Sequence, residues 1–416
     1  MEWIIVILYV LLLAFIIYRY VAKRFPFFSR HLITALFLFK ALAGIYYGIW
    51  HRQQCGQCDT FLMFKAGNYI YEQLKENPGK YFFLTFGPNG GHPRYLDESD
   101  LSGVEYWGNT ASYTVVRFNA LIRPFSFGIY AVHSLFMAFL SFLALLYLFR
   151  FLCNIYPERK KLFLVILFLV PSIVFYGSGV HKEAIALIAL SLIVPSFGHF
   201  LEGRRQALFL FLPSLFLLYL VKEFYFASLL PALLAWGISH HTRRHPGLVF
   251  PLTVLLFWSA VFLLSKILPV SDLARQMADK QELFRATKGE SHILIPLLDG
   301  SVSSILKALP RALFNVFVRP LNGGIHSPFL FLYALENIAI LLLTLWTIVS
   351  THKMNFRPPL FWFFMLFSLA ALLIIGLIVP NIGAISRYRV PGLLFYLLAL
   401  SLLIRIPESH ARKHSY

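Results

Sequence analysis

The amino-acid sequence predicts an all-α polytopic membrane protein with about eleven transmembrane helices and two outer-face loops that contain short amphipathic helices. Of its 416 residues, 58% are hydrophobic and only 13% are charged, which leaves too little polar surface for a water-soluble domain. Apolar runs of about 20 residues, the length that crosses a bilayer as a helix, recur along the whole chain. The basic residues collect in alternate connections between these runs, as they do in cytoplasmic loops.

The apolar runs define the predicted spans. They lie near residues 3–22, 31–50, 128–152, 162–178, 184–201, 207–222, 224–239, 248–268, 328–350, 360–380 and 388–405. The first is interpreted as a retained anchor, because its basic residues follow the apolar run instead of preceding it. The run 207–238 is interpreted as a hairpin that turns at Lys222 and Glu223. A single tilted span there would invert the orientation of everything downstream.

The distribution of charge predicts the orientation in the membrane. Alternate connections contain only three acidic residues, Glu158, Glu202 and Glu408, against a large excess of basic ones: Arg19, Lys23, Arg24, Arg30, Arg150, Arg159, Lys160, Lys161, Arg204, Arg205, Arg243, Arg244, Lys353, Arg357, Arg405, Arg412 and Lys413. By the positive-inside rule these connections are cytoplasmic. The N-terminus is then outside, the C-terminus is inside, and the protein is a multi-pass protein of the inner or plasma membrane. The net charge of +18 reflects topology and not nucleic-acid binding.

The predicted topology divides the chain into five segments. Residues 1–50 hold the anchor and the first core span, 51–127 form a first outer (periplasmic) loop, 128–268 a transmembrane bundle, 269–327 a second outer loop, and 328–416 the last spans with a short cytoplasmic tail. Because both long connections emerge on the outer side, we expect function there. The balanced content of acidic and basic residues in the first loop indicates a folded cap.

The first outer loop begins with a predicted surface helix. Its apolar residues recur at helical spacing after Asp59: Leu62, Ala66, Tyr69, Ile70 and Leu74. This pattern predicts an amphipathic helix that lies along the membrane. Asp59 itself has two interpretations, a functional carboxylate or an N-cap of that helix. The second outer loop is predicted to hold two short helices, and Arg311 and Arg319 approach the membrane face.

Ionisable residues also cluster at the predicted outer ends of spans. They are His181, Lys182 and Glu183, then Lys222 and Glu223, then Arg387 and Arg389. Cations at outer ends oppose the positive-inside trend, and a phosphate at headgroup depth is a sufficient reason for them. The alternative is snorkelling to ordinary phospholipid headgroups. Lys40 and Glu336 fall inside spans, where an ionisable side chain is a functional candidate. An ion pair between them is the simpler prediction.

The cysteines give a weak signal. Cys55 and Cys58 form a single C-x-x-C in the first outer loop, which favours a disulfide or free thiols. A zinc site with His51 is the weaker alternative. No nucleotide-binding glycine loop, H-E-x-x-H or G-x-S-x-G motif is present. We therefore expect a substrate that is held in, or passes through, the membrane.

Several segments resemble a known family. The stretch "CDTFLMFKAGNYI", together with "PSIVFYGSGVHKEAIAL", "VRFNALIRPFSFGIYAVH", "LPRALFNVFVRP" and "SRYRVPGLLFYLLAL", is similar to polyprenyl-phosphate-sugar-dependent glycosyltransferases of the GT-C superfamily. That superfamily includes protein mannosyltransferases, lipid A aminoarabinose transferases and proteins of bacterial surface-polysaccharide pathways. The resemblance implies a catalytic aspartate at the start of the first outer loop, where Asp59 stands. Many members carry two adjacent acidic residues there, whereas Asp59 is flanked by Cys58 and Thr60, which puts a divalent metal cofactor in doubt.

The resemblance implies a reaction and its partners. A polyprenyl-phosphate sugar would donate to a lipid, glycan or protein acceptor, with inversion and with Asp59 as the base. Arg387, Arg389, Lys182 and His181 would bind the donor phosphate. The supporting residues are Glu183, Arg94, Arg117, Arg123, Lys222, Lys40 and Glu336.

Three alternatives stay open. The first is a surface-polysaccharide polymerase or ligase, whose arginines would bind lipid diphosphates. The second is a lipid-linked sugar flippase or transporter in which Lys40 and Glu336 are the working residues. The third is a catalytically degenerate GT-C fold kept as an assembly partner.

Overall fold

A computed structural model describes residues 2–54, 58–91, 101, 104–267, 272–286, 291–321, 327–350 and 358–404. These residues fold into α-helices joined by turns and short 3₁₀ or π segments, and none of them belongs to a β-strand. A single isolated bridge pairs His292 with Asn381. The predicted all-α class is confirmed for the part of the chain that the structure describes.

The helices follow one another with short connections. In chain order they are α1 Glu2–Ile16, α2 Arg30–Gln54, α3 Asp59–Glu76, α4 Pro78–Phe86, α5 Thr110–Ser126, α6 Tyr130–Ile155, α7 Lys160–Phe168, α8 Pro171–Tyr176, α9 Lys182–Leu201, α10 Leu208–Val221, α11 Glu223–Thr242, α12 Pro246–Ile267, α13 Leu273–Ala286, α14 Val302–Phe317, α15 Pro328–Ser350, α16 Pro359–Ile378, α17 Ile382–Tyr388 and α18 Val390–Ser401.

Seven helices among the described residues are long and apolar enough to cross a membrane. They are Glu2–Arg24, Arg30–Gln54, Tyr130–Ile155, Lys182–Leu201, Pro246–Ser265, Pro328–Ser350 and Pro359–Ile378. Two further apolar helices, Arg205–Val221 and Val390–Ser401, are shorter. This composition fits a polytopic membrane protein.

Two of the predicted spans are interrupted. The run 162–178 is split between α7 and α8 at Pro171, and Val170 before it has the extended backbone (ψ 122°) that a following proline favours. The run 388–405 is split at Arg389, one residue before α18, which has a proline in its first turn. Between α10 and α11, Lys222 leaves the helical conformation (φ −150°, ψ 81°). The helix thus breaks where the sequence predicts the hairpin turn.

The chain divides into two compact units, residues 1–151 with 167–226, and residues 152–166 with 227–416. In the first unit, the described residues of the segment 58–126 fold as a packed cap. The predicted surface helix is present as α3, but Ala66 and Ile70 are buried while Leu62, Tyr69 and Leu74 are only half-buried. The buried face of α3 is turned toward α5, because Gly67 allows close approach to Asn119.

Two glycines of α2 bring this helix close to its neighbours in the first unit. A side chain on Gly44 would lie 2.9 Å from the carbonyl oxygen of Ser178, and one on Gly48 would lie 2.6 Å from the ring of Tyr130. A β-carbon on Gly179 would in turn lie 2.6 Å from the ring of Tyr47. Such contacts leave no room for a β-carbon. The turn 177–181 is therefore held tightly against α2.

In the second unit, the buried Gln281 links three segments. Its amide nitrogen donates to the carbonyl oxygens of Pro296 (2.9 Å) and Leu377 (2.7 Å). Its amide oxygen accepts from the backbone nitrogen of Leu298 at 3.0 Å. One side chain thus fixes α13, the extended segment 292–299 and the end of α16 together, and it satisfies backbone groups that have no helical partner.

Replacing Gln281 with leucine should destabilise the second unit. The substitution removes three hydrogen bonds and leaves buried backbone groups unpaired, which costs about 1–3 kcal/mol per group. We expect a clear fall in the midpoint of thermal unfolding of the purified protein. Gln206→Leu is the matched control, because Gln206 is exposed and its change should stay within about 0.5 kcal/mol. Equal midpoints for the two variants would show that Gln281 is not a structural link.

Candidate functional site

Asp59 is an exposed carboxylate at the first position of α3. The N-cap of α3 is Cys58 (φ −67°, ψ 151°), and its carbonyl oxygen accepts from the backbone nitrogens of Phe61 and Leu62 at 2.9 and 3.1 Å. Among the described residues, the carboxylate of Asp59 accepts from the hydroxyl of Tyr106 at 3.0 Å and from no backbone amide. The N-cap interpretation of Asp59 is therefore wrong, and its side chain is available for another role.

Tyr106, the residue that orients Asp59, is held in an unfavourable backbone conformation. Its φ of +66° lies in the left-handed region, which is uncommon and costly for a bulky side chain. The neighbouring Trp107 fixes it: the indole nitrogen donates to the carbonyl oxygen of Gly91 at 2.9 Å, and the carbonyl oxygen of Trp107 accepts from the amide of Asn89 at 2.9 Å. Burial, followed by the charge of Asp59, raises the pKa of Tyr106. The hydroxyl therefore remains a donor.

Thr60, next to Asp59, attaches the start of α3 to the turn 177–181. Its hydroxyl donates to the carbonyl oxygen of Val180 at 2.8 Å and lies 2.6 Å from the hydroxyl of Tyr130. Thr60 is buried, whereas Asp59 is exposed. The start of α3 is therefore held by hydrogen bonds at Thr60 and exposed at Asp59.

The predicted cluster at the start of α9 is a buried charge network. Glu183 is fully buried; its carboxylate binds Nδ1 of His181 and lies 2.8 Å from Nζ of Lys222. Lys182 points elsewhere and donates to the hydroxyl of Ser112 on α5 at 3.1 Å. The structure thus brings His181, Glu183 and Lys222 together around one carboxylate. This arrangement neutralises the buried Glu183 locally.

The cap arginines are packed against aromatic rings. Arg117 lies 4.8 Å from the ring of Tyr113 and donates to the carbonyl oxygen of Gly87. Burial lowers the pKa of Arg117. Arg123 lies 5.3 Å from the ring of Tyr71. These contacts stabilise the cap, and Arg94 lies outside the described residues.

In the second unit, Arg389 is completely buried. One guanidinium nitrogen donates to the carbonyl oxygen of Val316 at 2.8 Å and another to Glu336 at 3.1 Å, while the group lies 4.2 Å from the ring of Tyr333. Arg387 is different: it is half-buried and lies 5.0 Å from the ring of Tyr388. The two predicted phosphate-binding arginines therefore have unlike environments.

The sequence predicts an ion pair between Glu336 and Lys40, but Glu336 has another partner within its own unit. Glu336 binds Arg389, because Tyr333 and Glu336 are three residues apart on one face of α15 and both contact the guanidinium. Lys40 is only 2% exposed, and its Nζ has no hydrogen-bond partner among the described residues.

The structure describes only one of the two cysteines in the C-x-x-C. Cys58 is disulfide-bonded, while its predicted partner Cys55 lies outside the described residues. Nδ1 of His51 lies 3.0 Å from the carbonyl oxygen of Tyr47. No group of three or more His, Cys, Asp or Glu side chains suited to a metal ion occurs in the part of the chain that the structure describes.

Sequence reasoning missed two features of the site, Tyr106 and the buried His133. The imidazole of His133 lies 2.8 Å from the amide oxygen of Asn119 and 2.6 Å from the hydroxyl of Ser126. The only sequence signal for Tyr106 is its place before the turn residues Gly108 and Asn109. No periodic pattern in the sequence predicts that His133 contacts Asn119 and Ser126.

These features define a class: an all-helical protein with membrane-suited helices and an exposed, oriented carboxylate at the start of its cap. Comparison with known proteins adds no narrower assignment. The chain matches no protein-family model, no curated protein and no solved structure.

Replacing Glu183 with glutamine should destabilise the first unit. The change removes the buried carboxylate that binds the ammonium of Lys222, and breaking such a buried pair costs about 3–5 kcal/mol. We expect the midpoint of thermal unfolding to fall by about 10 °C. The double variant Glu183→Gln/Lys222→Met should recover part of the loss, because it also removes the buried ammonium that Glu183 binds.

Glu223→Gln is the matched control for this test. Glu223 is an exposed neighbour of Lys222, so its substitution should leave the midpoint nearly unchanged. If the two single variants unfold at the same temperature, the network does not stabilise the fold.

Proposed function

We propose that the protein is an integral-membrane glycosyltransferase of the GT-C type. It transfers a sugar from a polyprenyl-phosphate-linked donor to a lipid, glycan or protein acceptor on the outer face of the membrane, with inversion. One observation carries the proposal: Asp59, five residues after the candidate span α2 ends, is exposed and held by Tyr106. A carboxylate that caps no helix and pairs with no cation among the described residues is suited to act as a base.

The reaction is a single displacement at the anomeric carbon. Asp59 takes the proton of the acceptor hydroxyl while its oxygen forms a bond to the anomeric carbon from the face opposite the phosphate. The bond between that carbon and the phosphate oxygen breaks, and its electron pair leaves with the phosphate. Because the lipid phosphate departs as a stable anion, the reaction needs no strong general acid. The hydroxyl of Tyr106 keeps one oxygen of Asp59 occupied and leaves the other for the acceptor.

The donor phosphate needs cationic partners. Lys182 is a candidate in the first unit, because its contact with the hydroxyl of Ser112 at 3.1 Å is a bond that a phosphate oxygen can replace. Arg387 belongs to the second unit and stays a candidate from the sequence alone. His181 and Arg389 are better suited to positioning, since Glu183 and Glu336 already bind them.

The proposed topology has about eleven spans, with the N-terminus outside and the C-terminus cytoplasmic, in the inner or plasma membrane of a cell with a surface glycan. The asymmetry of the basic residues supports it. In this topology the segment 51–127, which includes Asp59, faces the outer side, where lipid-linked sugars are used.

A transporter or flippase is the second candidate function, and Lys40 favours it. An amino group that is buried inside a candidate span without a hydrogen-bond partner among the described residues is expensive, and such residues often lie on transport pathways. In that case Lys40, and not Asp59, would be essential.

Asp59→Asn should abolish one sugar addition in cells that express the variant at the wild-type level. Asparagine keeps the shape of the side chain but cannot accept the proton, so a loss of about 10²-fold or more is expected. Analysis of the surface glycan by mass spectrometry identifies the missing sugar. Asp279→Asn, at an exposed position of α13, is the matched control and should leave the glycan intact.

Tyr106→Phe should weaken the same step by about 10-fold, because the carboxylate loses its orienting hydrogen bond, worth about 1.4 kcal/mol. Tyr219→Phe, at an exposed position of α10, is the control. An unchanged glycan in Asp59→Asn, together with accumulation of lipid-linked sugar on the cytoplasmic side in Lys40→Met, would overturn the transferase and favour the transporter.

A further inference from the structure

α14 is the most amphipathic helix of the second unit, and its exposed surface carries two different stripes. Leu306 and Leu313, seven residues apart, lie on one side of this surface and are 60% and 38% exposed. Lys307 and Arg311, four residues apart, lie beside them and are exposed. Positions separated by three, four or seven residues share a helical face. The helix thus presents an apolar stripe next to a cationic one.

The opposite face of α14 is fixed to candidate membrane spans. Ala312 packs directly against Gly376, and the amide of Asn315 donates to the carbonyl oxygen of Gly376 at 3.2 Å. Gly376 is two residues from the end of the candidate span Pro359–Ile378. α14 therefore lies where that span ends.

A second contact places the residues just after α14 beside another candidate span. The carbonyl oxygen of Arg319, just after α14, accepts from the amide of Asn337 at 2.6 Å. Asn337 belongs to the candidate span Pro328–Ser350 and lies about 14 Å along it from Pro328 at 1.5 Å per residue. The chain from α14 to Arg319 therefore runs beside both spans: α14 contacts one of them near its end, and the backbone of Arg319 contacts the other part-way along its length.

The cations of this region have no carboxylate partner in the part of the chain that the structure describes. The sequence contains no Asp or Glu between Asp299 and Glu336, and Glu336 is bound to Arg389. Among the described residues, the side chains of Lys307, Arg311 and Arg319 form no ion pair, and Nε of Arg319 is buried without a hydrogen-bond partner. Burial, and then the charge of Arg311, lower the pKa of Arg319, so the two guanidinium groups are close enough to repel each other. An anion between them would relieve this repulsion.

We propose that α14 and Arg319 form a binding surface for an anionic phospholipid, in which Lys307, Arg311 and Arg319 hold the headgroup phosphate and Leu306 and Leu313 contact the acyl chains. A helix with an apolar stripe beside a basic one lies in the membrane interface and prefers anionic lipids. The surface belongs to the second unit alone and does not depend on glycosyl transfer. It gives the segment 301–319 a fixed depth in the membrane.

The test measures lipid selectivity of the full chain in nanodiscs. Electron paramagnetic resonance of spin-labelled phosphatidylglycerol and phosphatidylcholine gives the relative association constant of the two lipids. We expect the wild type to prefer phosphatidylglycerol by about fivefold or more, since each cation near an anionic headgroup changes binding by about that factor. The triple variant Lys307→Gln/Arg311→Gln/Arg319→Gln should bring the ratio close to one.

Two matched variants make the result specific. Arg275→Gln/Lys280→Gln/Arg285→Gln removes the same charge from α13 and should keep the wild-type ratio. Lys307→Arg/Arg311→Lys/Arg319→Lys keeps the charge of α14 and should also keep the ratio, which excludes misfolding as the cause of a loss. A wild-type ratio near one, an unchanged ratio in the α14 triple variant, or an equal loss in the α13 variant would overturn the proposal.

Discussion

Local compensation of buried charge in an apolar helical environment shapes one network in each unit, and Lys40 is an exception to it among the described residues. In the first unit, the buried Glu183 has His181 and Lys222 as its partners. In the second, the buried Arg389 has Glu336, the carbonyl oxygen of Val316 and the ring of Tyr333. Removing either partner from such a pair would leave a desolvated charge.

Two of the three breaks within apolar runs coincide with charged residues. Lys222 separates α10 from α11, and Arg389 separates α17 from α18. At the C-terminal end of a helix, the last carbonyl oxygens have no helical partner and are available to buried charges. This explains why the carbonyl oxygen of Val316, near the end of α14, accepts from Arg389. Irregular backbone within apolar segments is tolerated where such contacts satisfy it.

The sequence predicts local features better than contacts between distant segments. The helix after Asp59 follows from the spacing of its apolar residues, and the break at Lys222 follows from two charges in an apolar run. The sequence does not predict which face of α3 is buried, because that depends on how closely Gly67 approaches Asn119 on α5. Tyr106 reaches Asp59 across 47 residues of sequence, and Arg389 reaches Val316 across 73. Residues paired over such distances share no periodicity, so no pattern in one sequence identifies them.

The exposure of each ionisable group separates structural roles from functional ones. Glu183 and Glu336 are bound by neighbouring cations, so their charges stabilise the fold. Asp59 is exposed and receives one hydrogen bond from a strained tyrosine, which orients the carboxylate without neutralising it. A residue kept in the left-handed region needs a compensating gain, and at functional sites that gain is often the position of a reactive group. The strain at Tyr106 therefore supports Asp59, and not the better-paired carboxylates, as the reactive group of the cap.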